Sequence, residues 1–252
     1  MFEEKQSEKK PFTFKRFEIH QEEKSVMKVG TDGVLLGAWS DINNVASVLD
    51  VGTGTGLIAI MLAQRLCKIE NAFAHGVEID DNAYQQALEN MRQSPFADRL
   101  KCFHQSVQDF AIHQTQTAIR YDLIISNPPF FTGGTFSHNQ DKNNVRHTIK
   151  LSHNDLLNAT RQLLNKTGKF TVILPLIEGL RFIEVAHTYG FYNTKRTDVR
   201  PRTDKNIERL LLQFELTERA PERDELILLE GASDRDYSEA YKNLTKDFYI
   251  NF

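Results

Sequence analysis

Val48-Leu49-Asp50-Val51-Gly52-Thr53-Gly54-Thr55-Gly56-Leu57 sets three glycines between an apolar strand and an apolar helix. Glycines in that place permit a tight turn and let a ligand come close to the main chain. Many α/β loops carry glycines, so the surroundings decide what this turn means. The next strand ends at Val77-Glu78-Ile79-Asp80, which puts an acid roughly 25 residues past the glycines. That is close to the ~20 at which a carboxylate commonly accepts from ribose hydroxyls. Glu78 can accept from both hydroxyls of one ribose; a simple polar strand end is the plainer alternative. Asp80 reads as the N-cap of the helix that follows.

Outward from this turn, β-rich apolar runs occur at Ser47–Val51, Ala74–Glu78, Leu100–His104, Tyr121–Ser126 and Lys169–Leu174. Helical patterns lie between or after them, at Leu57–Leu66, Asp81–Arg92, Ser152–Leu164 and Glu178–Tyr189, while the link after His104 is short and indistinct. Repeated βα units predict a doubly wound α/β fold whose mostly parallel sheet is covered by helices on both faces. Asn193–Val199 and Arg209–Leu216 predict a C-terminal antiparallel hairpin that ends the sheet, followed by a strand at Leu226–Glu230 and a closing helix at Tyr237–Phe248. Near the start, Phe12, Phe14 and Phe17 around Lys15 and Arg16 suggest short strands or a hairpin. Thr31–Trp39 reads as a short helix capped by Thr31 or Asp32. Residues 1–11 are expected to form a disordered tail, and residues 12–252 a single domain with short additions at both ends.

A chain of 252 residues, 40% hydrophobic and 26% charged, can bury a full core and reads as soluble. Its formal charge of -3 argues against gripping nucleic acid with the whole surface, though not against a local basic patch. Cys67 and Cys102 offer neither a disulfide framework nor a CxxC pair and read as core thiols in a reducing compartment. The eight histidines show no HExxH spacing and no cluster with cysteine, so no metal is expected. Met1–Lys10 lacks the apolar stretch of a secretory signal. Val45–Ala63, the longest apolar region, holds Asp50 and three glycines and does not read as a membrane span. A cytoplasmic, monomeric protein without a membrane partner is expected.

The most informative stretch for chemistry is Ser126-Asn127-Pro128-Pro129-Phe130-Phe131. Two prolines stop the fourth strand and push the residue before each into an extended conformation. Asn127 is thereby held at the carboxyl edge of the sheet, where ligands bind in open α/β folds. Its side-chain oxygen and the Pro128 carbonyl can each accept one N–H of a planar amine, while Phe130 stacks on the ring that bears it. A structural Pro-Pro turn is the alternative. Neither cysteine sits in a loop suited to nucleophilic attack on a pyrimidine.

The glycine spacing departs from the dinucleotide pattern G-x-G-x-x-G, which would want glycine at Leu57, and no phosphate-binding G-x-x-x-x-G-K-[ST] is present. Asp50-x-Gly52-x-Gly54-x-Gly56 instead resembles the first motif of Rossmann-like methyltransferases. That resemblance implies S-adenosylmethionine as cofactor, with Asp50 at its crevice. It also implies an acid after the third strand for the cofactor's adenine amino group, for which Asp109 is the candidate, with Phe110 against the ring. A helix cap is the alternative for Asp109. Asn-Pro-Pro-aromatic is similar to the signature shared by adenine-N6, guanine-N2 and glutamine-N5 methyltransferases.

Phe12-Thr13-Phe14-Lys15-Arg16-Phe17, the run Met27 to Trp39, Arg146-His147-Thr148, Leu151-Ser152-His153 and Asp247-Phe248-Tyr249 carry a narrower resemblance, to bacterial tRNA(Val) adenine-N6 methyltransferases. It covers nearly the whole chain beyond the charged first ten residues. It implies methylation of the adenine just 3′ of the anticodon in a valine tRNA, with Thr31 over the methionine end of the cofactor. From the residues themselves, Lys15, Arg16, Arg196 and Arg200 are candidate RNA contacts among aromatic or basic neighbours. Arg146 and His147 follow the catalytic loop and are candidates to reach the substrate. A guanine-N2 rRNA enzyme and a glutamine-N5 protein enzyme stay open as rivals. A non-catalytic nucleoside-binding module would leave the Asn-Pro-Pro-Phe loop unexplained.

Overall fold

The computed structural model describes residues 10–21, 29–117, 119–129, 151–231 and 233–252. It opens with an antiparallel hairpin, β1 (Phe12–Thr13) and β2 (Glu18–Ile19), and then helix α1 (Thr31–Trp39). Alternating units follow: β3 (Ser47–Val51), α2 (Leu57–Arg65), β4 (Phe73–Glu78), α3 (Asp81–Gln93), β5 (Leu100–His104), α4 (Val107–Thr117), β6 (Tyr121–Ser126), α5 (His153–Leu163), β7 (Leu164–Pro175) and α6 (Leu176–Thr188). β8 (Tyr192–Arg202), β9 (Arg209–Glu215), β10 (Glu222–Leu229) and α7 (Glu239–Thr245) complete the described strands and α-helices.

The main sheet runs β10-β8-β9-β7-β6-β3-β4-β5. β5, β4, β3, β6 and β7 are mutually parallel, and β9 runs antiparallel to both β7 and β8. Because side chains alternate along a strand, the central strands feed two cores at once. Leu123 and Ile125 of β6 join a core with residues of α1, α2 and α7, whereas Ile124 joins the opposite core with residues of α4, α5 and α6. The reversal of strand order between β3 and β6 opens the crevice at which doubly wound sheets bind ligands.

Five expectations change. The β8–β9 hairpin does not end the sheet, since β10 pairs parallel to β8 and takes the edge. The link after His104 is a true helix, α4, started by Ser106, whose hydroxyl accepts from the Asp109 amide at 3.0 Å. β7 begins at Leu164, five residues earlier than expected, because a register shift against β6 absorbs the polar turn before Lys169. Helix α1 is preceded by extended Gly30 with no side-chain cap, so Thr31 is its first helical residue and neither it nor Asp32 caps. Cys102 is buried as expected, but Cys67 is only partly buried.

On β4, the ring Nδ1 of His75 lies 2.8 Å from the Tyr121 hydroxyl, and burial, with Lys101 nearby, lowers its pKa to about 4. A His with a depressed pKa stabilises fully above its unfolded value of 6.5 and loses that contribution as pH falls toward 4. Buried Asp50, raised to about 7, works in the opposite sense over much of this window. Isolating His75 therefore requires a difference measurement. Urea unfolding of wild type and His75→Gln should show a wild-type advantage that shrinks between pH 6.5 and 4, by up to about 3 kcal/mol. A pH-independent difference would contradict the assignment.

Candidate active site

The turn between β3 and α2 is a stack of constraints. Gly52, Gly54 and Gly56 all take positive φ, at 69°, 58° and 83°. A side chain at Gly52 or Gly54 would meet nothing within 4 Å, so both present bare backbone to open space. Gly56 instead faces the main chain of Ala87 in α3, where a Cβ would sit 3.5 Å from it. The amides of Gly52 and Thr53 donate to the Val77 carbonyl, tying the turn to the end of β4.

Glu78 completes that tie. Its Oε2 accepts from the Gly54 amide at 3.0 Å, and its Oε1 accepts from the amides of Ile79 and Asp80 at 2.9 and 3.0 Å. An ionised carboxylate has about four lone-pair sites, so three amides leave capacity for hydroxyl donors, on Oε2 above all. Asp80 caps α3 by accepting from Ala83, as its sequence context indicated. Asp50 lies fully buried under the turn. Thr53 donates to its Oδ2 at 2.6 Å, and Oδ1 has no hydrogen-bond partner. Burial pushes its pKa up to about 7, with the Glu78 charge adding to the rise, while Thr53 and the Ala59 amide pull it down. The Ala59 contact falls short of a full hydrogen bond.

Asn90 of α3, fully buried, locks the turn from behind. Its Nδ2 donates to the carbonyls of Thr55 at 2.8 Å and His20 at 3.0 Å, and its Oδ1 accepts from the His20 amide at 2.9 Å. Gln21 then accepts from the Val29 amide at 2.8 Å, just before Gly30 and Thr31. One side chain thus joins the glycine turn to the segment that delivers α1.

The glycine turn borders a cavity of about 650 Å³ at the carboxyl edge of the sheet, while Asp50, Glu78 and Asn90 hold the turn from outside the cavity's lining. It brings together Thr31, Gly52, Gly54, Asn127 and Pro128, which are far apart in sequence. Asn127 is half-buried, Pro128 buried and Pro129 exposed. Asp32 in the first turn of α1 pairs with Arg209 at the start of β9, 2.9 Å apart, and both line the same cavity. Sequence reading gave no signal for that pair, because its members are 177 residues apart.

Other candidates fall elsewhere. Asp109 is exposed in the first turn of α4 and accepts from the Ser106 hydroxyl at 2.7 Å. Phe110 is a correction. Its ring is fully buried beside Phe103 and Tyr121, because it faces the core one residue along the helix from Asp109. The exposed apolar side chain on that edge is Ile79, directly after Glu78, which the sequence reading passed over.

The basic candidates are also recast. Lys15 donates to the carbonyls of Lys246 and Phe252, both at 2.6 Å, fastening the N-terminal hairpin to the C-terminal segment. Phe14 and Phe17 are buried, stacked on one another and next to Tyr249, rather than offered to bases. Arg16 sits over the Phe96 ring and donates to the Cys67 sulfur. Arg196 forks onto Asp198, and Arg200 pairs with Glu225. All four cations are engaged with their own chain. Phe130, Arg146 and His147 lie outside the described residues.

Among the described residues no group of three or more His, Cys, Asp or Glu could hold a metal ion, and no helix is long and apolar enough to cross a membrane. The glycine cradle with bare backbone, the acid at the end of β4 and the buried unpartnered oxygen of Asp50 fit a nucleoside cofactor with a cationic centre.

Comparison with known proteins agrees. Residues 33–175 match the family model of the methyltransferase small domain. A predicted O-methyltransferase from Agrobacterium tumefaciens shares the fold at a TM-score of 0.66 and 19% identity, covering 86% of this chain and 96% of its own. Fold and site thus define a Rossmann-like methyltransferase, whose methyl donor is S-adenosylmethionine. Proteins named tRNA1(Val) (adenine(37)-N6)-methyltransferase are similar along nearly the whole chain. The one from Histophilus somni (strain 129Pt) is 42% identical over 98% of this chain and 100% of its own length. That from Proteus mirabilis (strain HI4320) is 38% identical over 96% and 94%, and that from Christiangramia forsetii is 37% identical over 95% and 98%. The chain belongs to the tRNA1(Val) (adenine(37)-N6)-methyltransferase family.

Replacing Glu78 by Ala should weaken S-adenosylmethionine binding by about 1.5–3 kcal/mol, the usual loss for a charge-assisted hydrogen bond. Calorimetry on folded protein checks this, and unchanged affinity would remove Glu78 from the cofactor site.

Proposed function

We propose that this chain methylates N6 of adenine 37, the adenine 3′ of the anticodon, in a valine tRNA. The observation that carries the reading is the placement of Asn127 and Pro128 in one cavity with the bare glycine turn. The comparisons support it, since the relatives that match nearly end to end bear that activity in their names.

S-adenosylmethionine supplies an electrophilic methyl group when bound. Gly52 and Gly54 let it approach the main chain, Gly56 packs the turn against α3, and Glu78 accepts from its ribose hydroxyls. Asp50 offsets positive charge from beneath the turn, and Thr31 borders the methionine end. Asp109 accepts from its adenine amine in this reading, with Ile79 rather than Phe110 as the apolar neighbour.

On the acceptor side, the Asn127 side-chain oxygen and the Pro128 carbonyl each accept one N–H of the target amine. This turns the nitrogen lone pair toward the methyl group. Transfer would form the N–C bond as the donor's methyl–sulfur bond breaks and a neutral thioether leaves, and the now cationic amine would pass its proton to water without a strong base. Catalysis rests on orientation and preorganised acceptors. A base inside an RNA loop must leave its stack to reach this depth, and Phe130 follows the motif as the ring to receive it. An RNA-modifying enzyme of this kind works in the cytoplasm, with residues 12–252 acting as one unit.

Asn127→Ala should lower kcat on tRNA by roughly 10²–10³, by analogy with loss of one preorganised oxyanion donor, and leave cofactor affinity nearly intact. Steady-state kinetics with calorimetry separate the two. A near-wild-type kcat would defeat the catalytic assignment.

A further inference from the structure

The cavity extends well past the cofactor cradle. Along the carboxyl edge the strands follow the order β4, β3, β6, β7, β9, β8, β10. Adjacent strands lie about 4.8 Å apart, so the ends of β3 and β8 are separated by roughly 19 Å. A cofactor anchored at Gly54 and Glu78 occupies the β3–β4 side, and Asn127 stands at the end of β6. Yet Val199 and Pro201 of β8, Glu208 and Arg209 at the start of β9, and Leu228 of β10 line the same cavity. This wall lies outside residues 33–175, the part matched by the methyltransferase family model.

We propose that this second half is the subsite for the acceptor nucleobase, with β10 supplying its outer wall. The inference rests on the function proposed above and specifies where the base lies. Half-buried Pro201 and Leu228 present apolar surface suited to the flat faces of an unstacked purine, with buried Val199 supporting them, while Glu208 and Arg209 provide polar groups at its edge. The wall is also braced. The Leu228 carbonyl accepts from the Ser238 amide at 2.9 Å, Leu229 bridges to Tyr237, and Arg209 is paired with Asp32 across the cavity from α1. Such bracing matters because a base held on a yielding wall would not keep its amine at Asn127.

The test is a size series at Leu228, read on tRNA by kcat/KM and on S-adenosylhomocysteine by calorimetry. Leu228→Trp should lower kcat/KM at least tenfold, mainly through KM, and Leu228→Phe should lower it less. Both should bind S-adenosylhomocysteine within twofold of wild type. Ile227→Trp, one residue along β10 and therefore on its other face, should behave like wild type. Pro201→Phe repeats the occlusion from β8 in case the Leu228 variants do not fold. Wild-type kcat/KM in folded Leu228→Trp or Pro201→Phe overturns the inference, and so does a loss of cofactor affinity as large as the loss of kcat/KM. A wild-type protein that binds cofactor but is inactive on tRNA overturns the function proposed above and this inference with it.

Discussion

The hydrogen bond from the Gly54 amide to Glu78 joins the two strand ends on which the rest of the site is built. It requires a backbone that turns left-handed three times within five residues, which only glycine tolerates without strain. The same turn places Thr53 against Gly76, where a Cβ would lie 2.8 Å from the Thr53 methyl, so the glycine in β4 is as necessary as those in the loop. Asn90 and Asp50 then hold the turn from behind and below. With the cradle rigid, the end of β6 next to β3 is the natural station for the acceptor groups, and Asn127-Pro128 stands there.

Much of this was legible in the residues because it is local. β3, β5 and β6 fall where β-rich apolar runs put them, and α1 and α2 differ from expectation by at most one residue at an end. Glycine spacing, the acid after the next strand and the Asn-Pro-Pro run are likewise features of short segments whose meaning depends on strand ends. The resemblance to tRNA(Val) adenine-N6 methyltransferases narrowed the acceptor, which the isolated motif could not do.

What stayed hidden depends on contacts between distant segments. Lys15 reads as a free cation beside aromatics, but its ammonium is taken up by carbonyls more than 230 residues away. Arg200 reads as part of a basic patch until β10 brings Glu225 to it, whereas Arg196 pairs locally with Asp198, two residues along β8. The methyltransferase resemblance implies Phe110 against the cofactor's ring, whereas the helical phase of α4 turns it into the core. The parallel addition of β10, and with it the outer wall of the cavity, has no local signature because parallel partners need not be sequence neighbours.

The central claim is that the cavity orients an exocyclic adenine amine of tRNA toward the donor. The most direct measurement is to incubate purified protein with methyl-labelled S-adenosylmethionine and unmodified valine tRNA, then digest the RNA and identify the labelled nucleoside by mass spectrometry. The account predicts label in N6-methyladenosine, mapped to the position 3′ of the anticodon and lost in Asn127→Ala. Label in N2-methylguanosine, or in protein glutamine with none in tRNA, would contradict it.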